Sequence, residues 1–212
     1  MKKLLVVSAI ALFGAMNAQS VKFGLKAGYS LSSISEKYEN TSHSGDAKSS
    51  FYGGALVEIK LNSKWALQGE LLYSQLGAKD EVDLGTTEMG GQVINLGVVK
   101  QKIDLSSLMI PVGAKYYLTN KLSANAGLNF VFYVSRKLEY EIAEYNTTVD
   151  DTANTYFKTF NFAPYVGFEY QLTEHFFADT RYNFGVANIS QIKIDDYKMR
   201  NSFFQLGVGY KF

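Results

Sequence analysis

The stretch that decides the fold is SFFQLGVGYKF, residues 202–212, in which apolar or aromatic residues occupy every second position from Phe204 to Phe212. Gln205, Gly207, Gly209 and Lys211 lie between them. A strict period of two places the two sets on opposite faces of a β-strand. Soluble proteins usually end in polar residues that fray. The position of Phe212 therefore raises the question of which solvent the apolar face meets.

Seven further segments of the chain repeat this alternation. Each is about ten residues or longer, the length at which a tilted strand crosses a bilayer. The segments begin at Val21, Phe51, Trp65, Ser107, Leu122, Phe160 and Phe176. Together with residues 202–212 they predict an all-β fold, an eight-stranded antiparallel up-and-down transmembrane β-barrel.

The connections between these segments alternate between short and long. The short ones, at residues 62–64, 119–121 and 173–175, are polar and typical of hairpin turns. The long hydrophilic ones cover residues 35–50, 77–102, 136–156 and 187–200. An even strand number with three short and four long connections places both termini on the short-turn side. This is the plan of an outer-membrane barrel, with short periplasmic turns and long external loops.

The N-terminal residues 1–18 predict a cleaved signal peptide. Lys2 and Lys3 precede an apolar run that ends at Ala15, and Ala18 is small enough for cleavage. The run is too short for a transmembrane helix, and the absence of Cys excludes a lipid-modified cysteine. We therefore expect residues 19–212 to form the barrel and to reach the cell outer membrane.

Alternation alone does not decide which face meets lipid, because a secreted soluble barrel has the same two-faced strands with the apolar face inward. Here the polar faces combine opposed charges with many Gly, Ser and Asn residues, which suits a narrow interior. The predicted lumen charge network consists of Lys22, Lys26, Glu58, Lys60, Glu70, Lys115, Glu169, Asp179, Arg181 and Lys211.

Aromatic residues at the turn ends of the apolar faces also favour lipid outside. They are typical of the girdle at a membrane–water interface. The predicted interface aromatics are Trp65, Tyr116, Tyr170, Tyr210 and Phe212. Lipid cannot satisfy backbone polar groups, so the sheet is expected to close. Phe212 would then place its ring in the bilayer interface and its carboxylate in periplasmic water.

Three stretches carry a family resemblance: LMIPVGAKYYL, the hairpin from FAPYVGFEYQL through FFADTRYNFGV, and FFQLGVGYKF. In their order along the chain they resemble the outer-membrane β-barrel domain family, often called the porin family. The resemblance implies an eight-stranded barrel that the barrel-assembly machinery delivers to the outer membrane, with Phe212 as the aromatic end that this machinery reads. It implies no shared catalytic residues, and the word porin does not establish a pore.

The inward charges permit two interpretations. One is a polar path for ions, and the other is a paired network that fills a barrel only wide enough for side chains. The predicted set has six cations and four anions. Because a buried charge without a partner is costly, this near-balance favours the filled lumen.

The sequence offers little catalytic chemistry. His43 lies in the first long connection and His175 in a short turn, so the barrel plan puts them on opposite sides of the membrane. No nucleophile elbow, phosphate loop or metal-binding motif is found. A barrel-embedded hydrolase or acyltransferase would need a His-containing cluster at the external rim, where His43 stands alone. We expect no enzyme activity and no cofactor.

The external connections contain acidic clusters. They indicate ordinary solvated loops, divalent-cation bridging to lipopolysaccharide, or contact with a host or neighbouring cell. The clusters are Asp80, Glu81 and Asp83, then Glu139, Glu141 and Glu144, then Asp150 and Asp151. The formal charge of +1 gives no electrostatic reason to expect nucleic acid as a partner. The expected function is a non-enzymatic outer-membrane anchor that displays its loops for envelope integrity, adhesion or ligand contact, surrounded by outer-membrane lipid and lipopolysaccharide. The alternative is a narrow passive channel for ions or small solutes.

Overall fold

The computed structural model describes residues 21–39, 41–83, 85–89, 92–95, 97–142, 147–152 and 155–212. The predicted signal peptide lies outside these residues. The strands are β1 (Val21–Tyr38), β2 (Thr41–Ser44), β3 (Asp46–Lys60), β4 (Trp65–Asp83), β5 (Thr86–Met89), β6 (Gln92–Asn95), β7 (Val98–Tyr117), β8 (Leu122–Ile142), β9 (Thr147–Thr152), β10 (Phe160–Gln171), β11 (Phe176–Asn183) and β12 (Lys198–Lys211). Within the described residues, no helix is long and apolar enough to span a membrane.

Eight of these strands form a closed antiparallel ring in the order β1-β3-β4-β7-β8-β10-β11-β12. The ring closes between its first and last strands, where Gly24 pairs with Lys211 and Lys37 pairs with Lys198. The predicted eight-stranded barrel is therefore confirmed. β2 and β9 extend the ring at one end, and β5 and β6 form a separate two-stranded antiparallel sheet.

Most apolar side chains of the alternating segments face outward. Leu25 and Phe51 are 56% and 80% exposed, whereas Lys26 and Arg181 on the inward face are only 4% and 2% exposed. This outward apolar zone is called the apolar belt. At the turn end it is bounded by Trp65, Tyr116, Tyr170 and Tyr210, and at the loop end by Leu31, Phe51, Tyr73, Leu108, Phe132, Phe160, Phe184 and Phe204.

Three short turns connect the strands at one end of the barrel, and all three have the same hydrogen-bonding pattern. The first polar residue of each turn accepts hydrogen bonds from the backbone N–H groups that follow it. Asn62 Oδ1 accepts from Lys64 and Trp65 at 2.9 Å each. Thr119 and Thr173 use their hydroxyl oxygens in the same way. The predicted turns therefore lie where the sequence indicated.

The long connections differ from the prediction. Much of residues 77–102 and 136–156 is strand, because β4, β7 and β8 continue well beyond the apolar belt. Outside the belt the pattern reverses, with Ile103 and Leu138 buried on the inside. Water now meets the outer surface, so an apolar interior stabilises the sheet as in a soluble protein. These segments were predicted to be loops because they lack the outward apolar residues that mark a lipid-facing strand.

A buried tyrosine lies across the seam where the ring closes. Tyr52 pairs with Gly28, and Gly28 pairs with Gly207 on β12. A Cβ atom added to Gly207 would lie 2.1 Å from the Tyr52 hydroxyl oxygen. The two glycines therefore make the space that this ring occupies.

The same arrangement occurs between β7, β8 and β10. Tyr165 pairs with Gly127, which in turn pairs with Gly113. A Cβ atom on Gly113 would lie 2.4 Å from the Tyr165 hydroxyl oxygen. The guanidinium of Arg181 lies over the Tyr165 ring at 4.2 Å from its centroid. Small residues on the wall thus let aromatic rings fill the lumen and support its charges.

Candidate functional site

The lumen holds two groups of paired charges, and the first lies near the turn end. In this turn-side cluster, Lys115 Nζ lies 2.5 Å from Glu58 and 2.7 Å from Glu169. Lys211 Nζ bridges the same two carboxylates at 2.7 and 2.6 Å. The Tyr117 hydroxyl donates a further hydrogen bond to Glu58. The cluster ties β3, β7, β10 and β12 together and carries no net charge.

The second group, the central cluster, lies deeper in the barrel. Arg181 donates two hydrogen bonds to Glu70, at 2.6 and 3.2 Å, in a bidentate geometry that suits a guanidinium and a carboxylate. Lys26 Nζ lies 2.7 Å from Asp179 and 3.3 Å from Glu70. Gln68 donates to Glu70 at 2.6 Å. This cluster ties β1, β4 and β11 together and is also neutral.

Eight of the ten predicted lumen charges thus form two balanced clusters. The other two, Lys22 and Lys60, lie on the inward face but at the open mouth, where both are exposed. Each is near the end of its strand, so water reaches it from the turn end. The predicted excess of cations over anions therefore lies at the mouth and not in the buried network.

Above the central cluster the lumen becomes less charged. Asn129 donates to Asn183 at 3.0 Å, and Asn183 donates to Gln205 at 3.2 Å. Beyond this amide layer the large inward side chains include the buried apolar residues Leu72, Met109, Val131 and Phe203. Buried polar side chains, among them Ser74, Ser107, Asn161 and Asn201, lie between them. An ion that entered from the turn end would meet two neutral clusters and then a layer rich in apolar side chains.

The predicted interface aromatics all lie on the outward face at the turn end. Trp65 packs against Tyr116 with ring centroids 4.8 Å apart. Tyr210 contacts Phe212 at 5.3 Å, and the exposed Tyr170 lies on the neighbouring part of the wall. A second set of rings at the loop end, including Tyr73, was not predicted. The alternation of each strand continues up to these rings. Their position at the loop end of each apolar run could therefore have indicated a second aromatic girdle.

A buried ion pair at the loop end was also missed. The Lys48 side chain is almost fully buried, contacts Asp104, and donates to the carbonyl oxygen of Leu76 at 3.2 Å. Lys102 bridges Asp104 at 3.0 Å and Glu139 at 2.8 Å. Burial disfavours the charged form of Asp104, but Lys48 and Lys102 outweigh it and hold the pKa of this carboxyl below its ordinary value of 3.8. Because residues 35–50 were predicted to be a hydrophilic connection, Lys48 was not recognised as a buried charge.

The two histidines lie at opposite ends of the barrel. His43 Nε2 lies 2.9 Å from Asp80 on an exposed surface, so His43 does not stand alone. His175 Nδ1 donates to the backbone oxygen of Lys211 at 2.8 Å and its ring stacks on Tyr210. Among the residues that the structure describes, no group of three or more His, Cys, Asp or Glu could hold a metal ion.

The acidic clusters do not all behave as solvated loops. Asp80 pairs with His43, Glu81 lies 3.8 Å from Lys100, and Glu139 pairs with Lys102. Glu144 lies outside the described residues, and the side chains of Asp150 and Asp151 are not described either. Asp80, Glu81 and Glu139 therefore each have a basic side chain nearby on the extended sheet.

We expect Asp104→Asn to loosen the loop-end sheet, because it leaves the Lys48 ammonium buried without a carboxylate. The local opening free energy should fall by about 2 kcal/mol, which is roughly a 30-fold increase in opening. Hydrogen exchange of the Leu76 and Ala78 amides measures this effect. Because the pKa of Asp104 is lowered, the pair should stabilise the sheet fully at neutral pH. That stabilisation should be lost only as the pH falls below about 4.

The matched control is Glu81→Gln, which removes a carboxylate from an exposed pair on the same strand system. Exposed pairs contribute little, so exchange should change by less than about twofold. Equal effects of the two substitutions would contradict a structural role for the Lys48–Asp104 pair.

Comparison with known proteins gives a consistent fold. The family model described as outer membrane protein beta-barrel domain matches residues 17–191. The chain is similar to Ail, the attachment invasion locus protein of Yersinia pestis solved with the heparin analogue sucrose octasulfate, with 14% identity, a TM-score of 0.50, and coverage of 91% of this chain and 99% of Ail. Neisserial surface protein A is 14% identical to the chain with a TM-score of 0.49, and the match covers 90% of this chain and 97% of that protein. No curated protein matches the sequence.

Proposed function

The chain belongs to the outer membrane protein beta-barrel domain family, and from this premise we propose that it is a non-enzymatic anchor with a closed lumen. Its task is to hold an extended outer sheet at the cell surface for adhesion or ligand contact. The family places the protein in the outer membrane. The turn end then faces the periplasm and the loop end faces outside.

The observation that carries the closed lumen is the neutrality of both buried clusters. Four cations and four anions pair within hydrogen-bond distance, and both clusters lie across the path of a solute. A conducting pore would need to keep some of these charges solvated and free to exchange. The apolar layer around Met109 and Phe203 adds a second barrier.

The display role is supported by the length of the outer strands. β7 and β8 have 20 and 21 residues, whereas about 9–11 residues suffice to cross the membrane. The excess of about ten residues corresponds to roughly 30 Å of strand outside the membrane. Side chains such as Lys100, Lys102 and Glu141 line a charged groove on this sheet. An ordered surface of this kind suits contact with a macromolecule.

The solved structure of Ail supports the same role. Ail is an attachment protein by name and was solved with a heparin analogue, so a role in surface attachment fits a barrel of this kind. The proposed partners are outer-membrane lipid and lipopolysaccharide around the belt, and the barrel-assembly machinery during insertion.

Planar-bilayer recording of the refolded protein tests the closed lumen. We expect no stable unitary conductance from wild type. The double variant Leu72→Ser/Met109→Ser should also stay closed, because the charged clusters remain. A reproducible single-channel conductance from wild-type monomer would overturn the anchor proposal and favour the narrow channel. Cell-binding assays with the outer parts of β7 and β8 shortened would test the display role separately.

A further inference from the structure

A cavity opens at the turn end of the lumen, beneath the turn-side cluster. Its volume is about 420 Å³, within the range of about 300–1,000 Å³ that is usual for ligand sites. Its floor is the Glu58–Lys211 pair of the turn-side cluster. Lys22, Lys60, Tyr117, Asn120, Gln171 and Glu174 are among the residues that line it. This cavity is called the vestibule.

Lys22 has a carboxylate as its cross-strand neighbour but does not pair with it. It lies directly opposite Glu58 in the β1–β3 register. The oxygens of Glu58 are already engaged by Lys115 at 2.5 Å and Lys211 at 2.7 Å, and by the Tyr117 hydroxyl. In the described part of the chain, Lys22 forms no ion pair. The turn-side cluster has therefore used the anion that Lys22 would otherwise bind.

Lys60 lies two residues beyond Glu58 on the same face of β3. Its ammonium is 5.4 Å from the centroid of the Tyr117 ring, which orients the side chain along the vestibule wall. Among the described residues it, too, has no ion pair. Since the eight charges of the two buried clusters cancel, the inward-facing strand charge that remains at the turn end is that of Lys22 and Lys60.

Charge of one sign in a concave site with low-dielectric walls concentrates the field there. Glu174 is the acidic residue of the vestibule that the turn-side cluster does not engage, and it lies in an exposed turn. The amide of Asn120 and the side chain of His175 offer further polar contacts on the wall. The site thus has two ammonium groups that form no ion pair among the described residues, neutral hydrogen-bonding groups and an aromatic surface.

We propose that the vestibule binds a small anion with two or more negative charges, whose carboxylate or phosphate groups contact both Lys22 and Lys60. From the periplasmic side two sources supply this chemistry: the free carboxylates of cell-wall peptides, and phosphates. The site ends below the turn-side cluster, so binding does not require a conducting lumen. Its outcome is therefore independent of the bilayer recording.

Isothermal titration calorimetry of refolded residues 19–212 in zwitterionic micelles tests this proposal. Two probes separate the sources: inorganic tripolyphosphate, and a soluble disaccharide–tetrapeptide from peptidoglycan. Low ionic strength limits screening of the exposed lysines. We expect saturable binding of at least one probe with one site per chain. Binding of only one probe would assign the natural anion to that class, and binding of both would assign the site to the shared chemistry.

The variant Lys22→Gln/Lys60→Gln should weaken binding by about tenfold or more, because it removes both charge-assisted contacts. Both lysines are exposed, so the variant should fold, and its mobility on unheated SDS gels checks this. The matched control is Lys64→Gln/Lys121→Gln, which removes two charges from the same end of the barrel but from turns outside the vestibule. This control should stay within about twofold of wild type.

Two results would overturn the proposal. One is the absence of binding of either probe to wild type. The other is an equal loss in both double variants, which would indicate general attraction by the basic rim and not a site.

Discussion

Glu70→Gln is expected to destabilise the barrel by about 3–5 kcal/mol. Glu70 is the carboxylate that pairs with Arg181 through both of its oxygens, and it also faces Lys26. The substitution keeps the side-chain volume but leaves the central cluster with two cations and one anion. An uncompensated buried charge is costly because the low-dielectric interior offers no substitute for water.

Urea unfolding in lipid vesicles measures this loss, and the fluorescence of Trp65 reports it. Trp65 is the single Trp of the chain, and it lies on the outward face at the turn end. The control is Glu174→Gln, in an exposed turn, which should change stability by less than about 0.5 kcal/mol. The double variant Glu70→Leu/Arg181→Met should recover most of the loss, because the remaining Lys26–Asp179 pair is neutral.

A value for Glu70→Gln within about 1 kcal/mol of wild type would contradict the assigned role of the central cluster. A double variant less stable than both Glu70→Leu and Arg181→Met would show that shape and not charge limits the site. Glu70→Leu, Arg181→Met and the double variant form a mutant cycle, so the coupling between Glu70 and Arg181 is measured directly.

Gly28→Val is expected to prevent efficient closure of the ring. A Cβ atom at Gly28 would lie 2.2 Å from the backbone oxygen of Leu206 and 2.5 Å from Gly207 Cα. These are backbone atoms, so no side-chain rotation relieves the clash and the β1–β12 pairing must shift. The substitution also displaces Tyr52 from the space above the two glycines. We expect a loss of about 3 kcal/mol or more, the upper end for overpacking.

The refolding yield, read as the fraction of the faster-migrating folded band on unheated gels, measures the effect. The matched control is Gly53→Val on the adjacent strand, where an added Cβ faces outward and the nearest atom is 3.7 Å away. This control should refold like wild type. Equal yields for Gly28→Val and Gly53→Val would contradict the requirement for space at the seam.

The transmembrane part of the fold could be predicted from the sequence because lipid imposes a simple rule. Each outward position needs an apolar side chain. The alternation from Phe204 to Phe212 therefore predicts the strand, the direction of its two faces and its lipid environment together. The same rule placed Lys26, Glu70 and Arg181 on the inward face. The short turns followed from Asn62, Thr119 and Thr173, whose side chains favour this local geometry.

The rest depended on contacts between distant residues. Barrel closure decides which charges pair across the lumen. The sequence therefore could not show that Lys22 does not pair with Glu58. Outside the belt, apolar residues such as Ile103 and Leu138 face inward, so the alternation is reversed. A rule that requires outward apolar side chains predicts a loop for such a segment. Lys48 was assigned to solvent for the same reason, although it is buried in the extended sheet.

The distribution of the paired charges over the strands has a consequence for how the protein enters its membrane. β1 brings only a cation to the central cluster and β4 only an anion, and the partners come together across the lumen. Inserted as single strands, β1 and β4 would each hold an ion against hydrocarbon with no counter-ion in reach, at a cost of several kcal/mol for each. Stepwise threading of single strands is therefore disfavoured. We expect the strands to enter the membrane together, so that the ion pairs of the lumen form as the wall assembles.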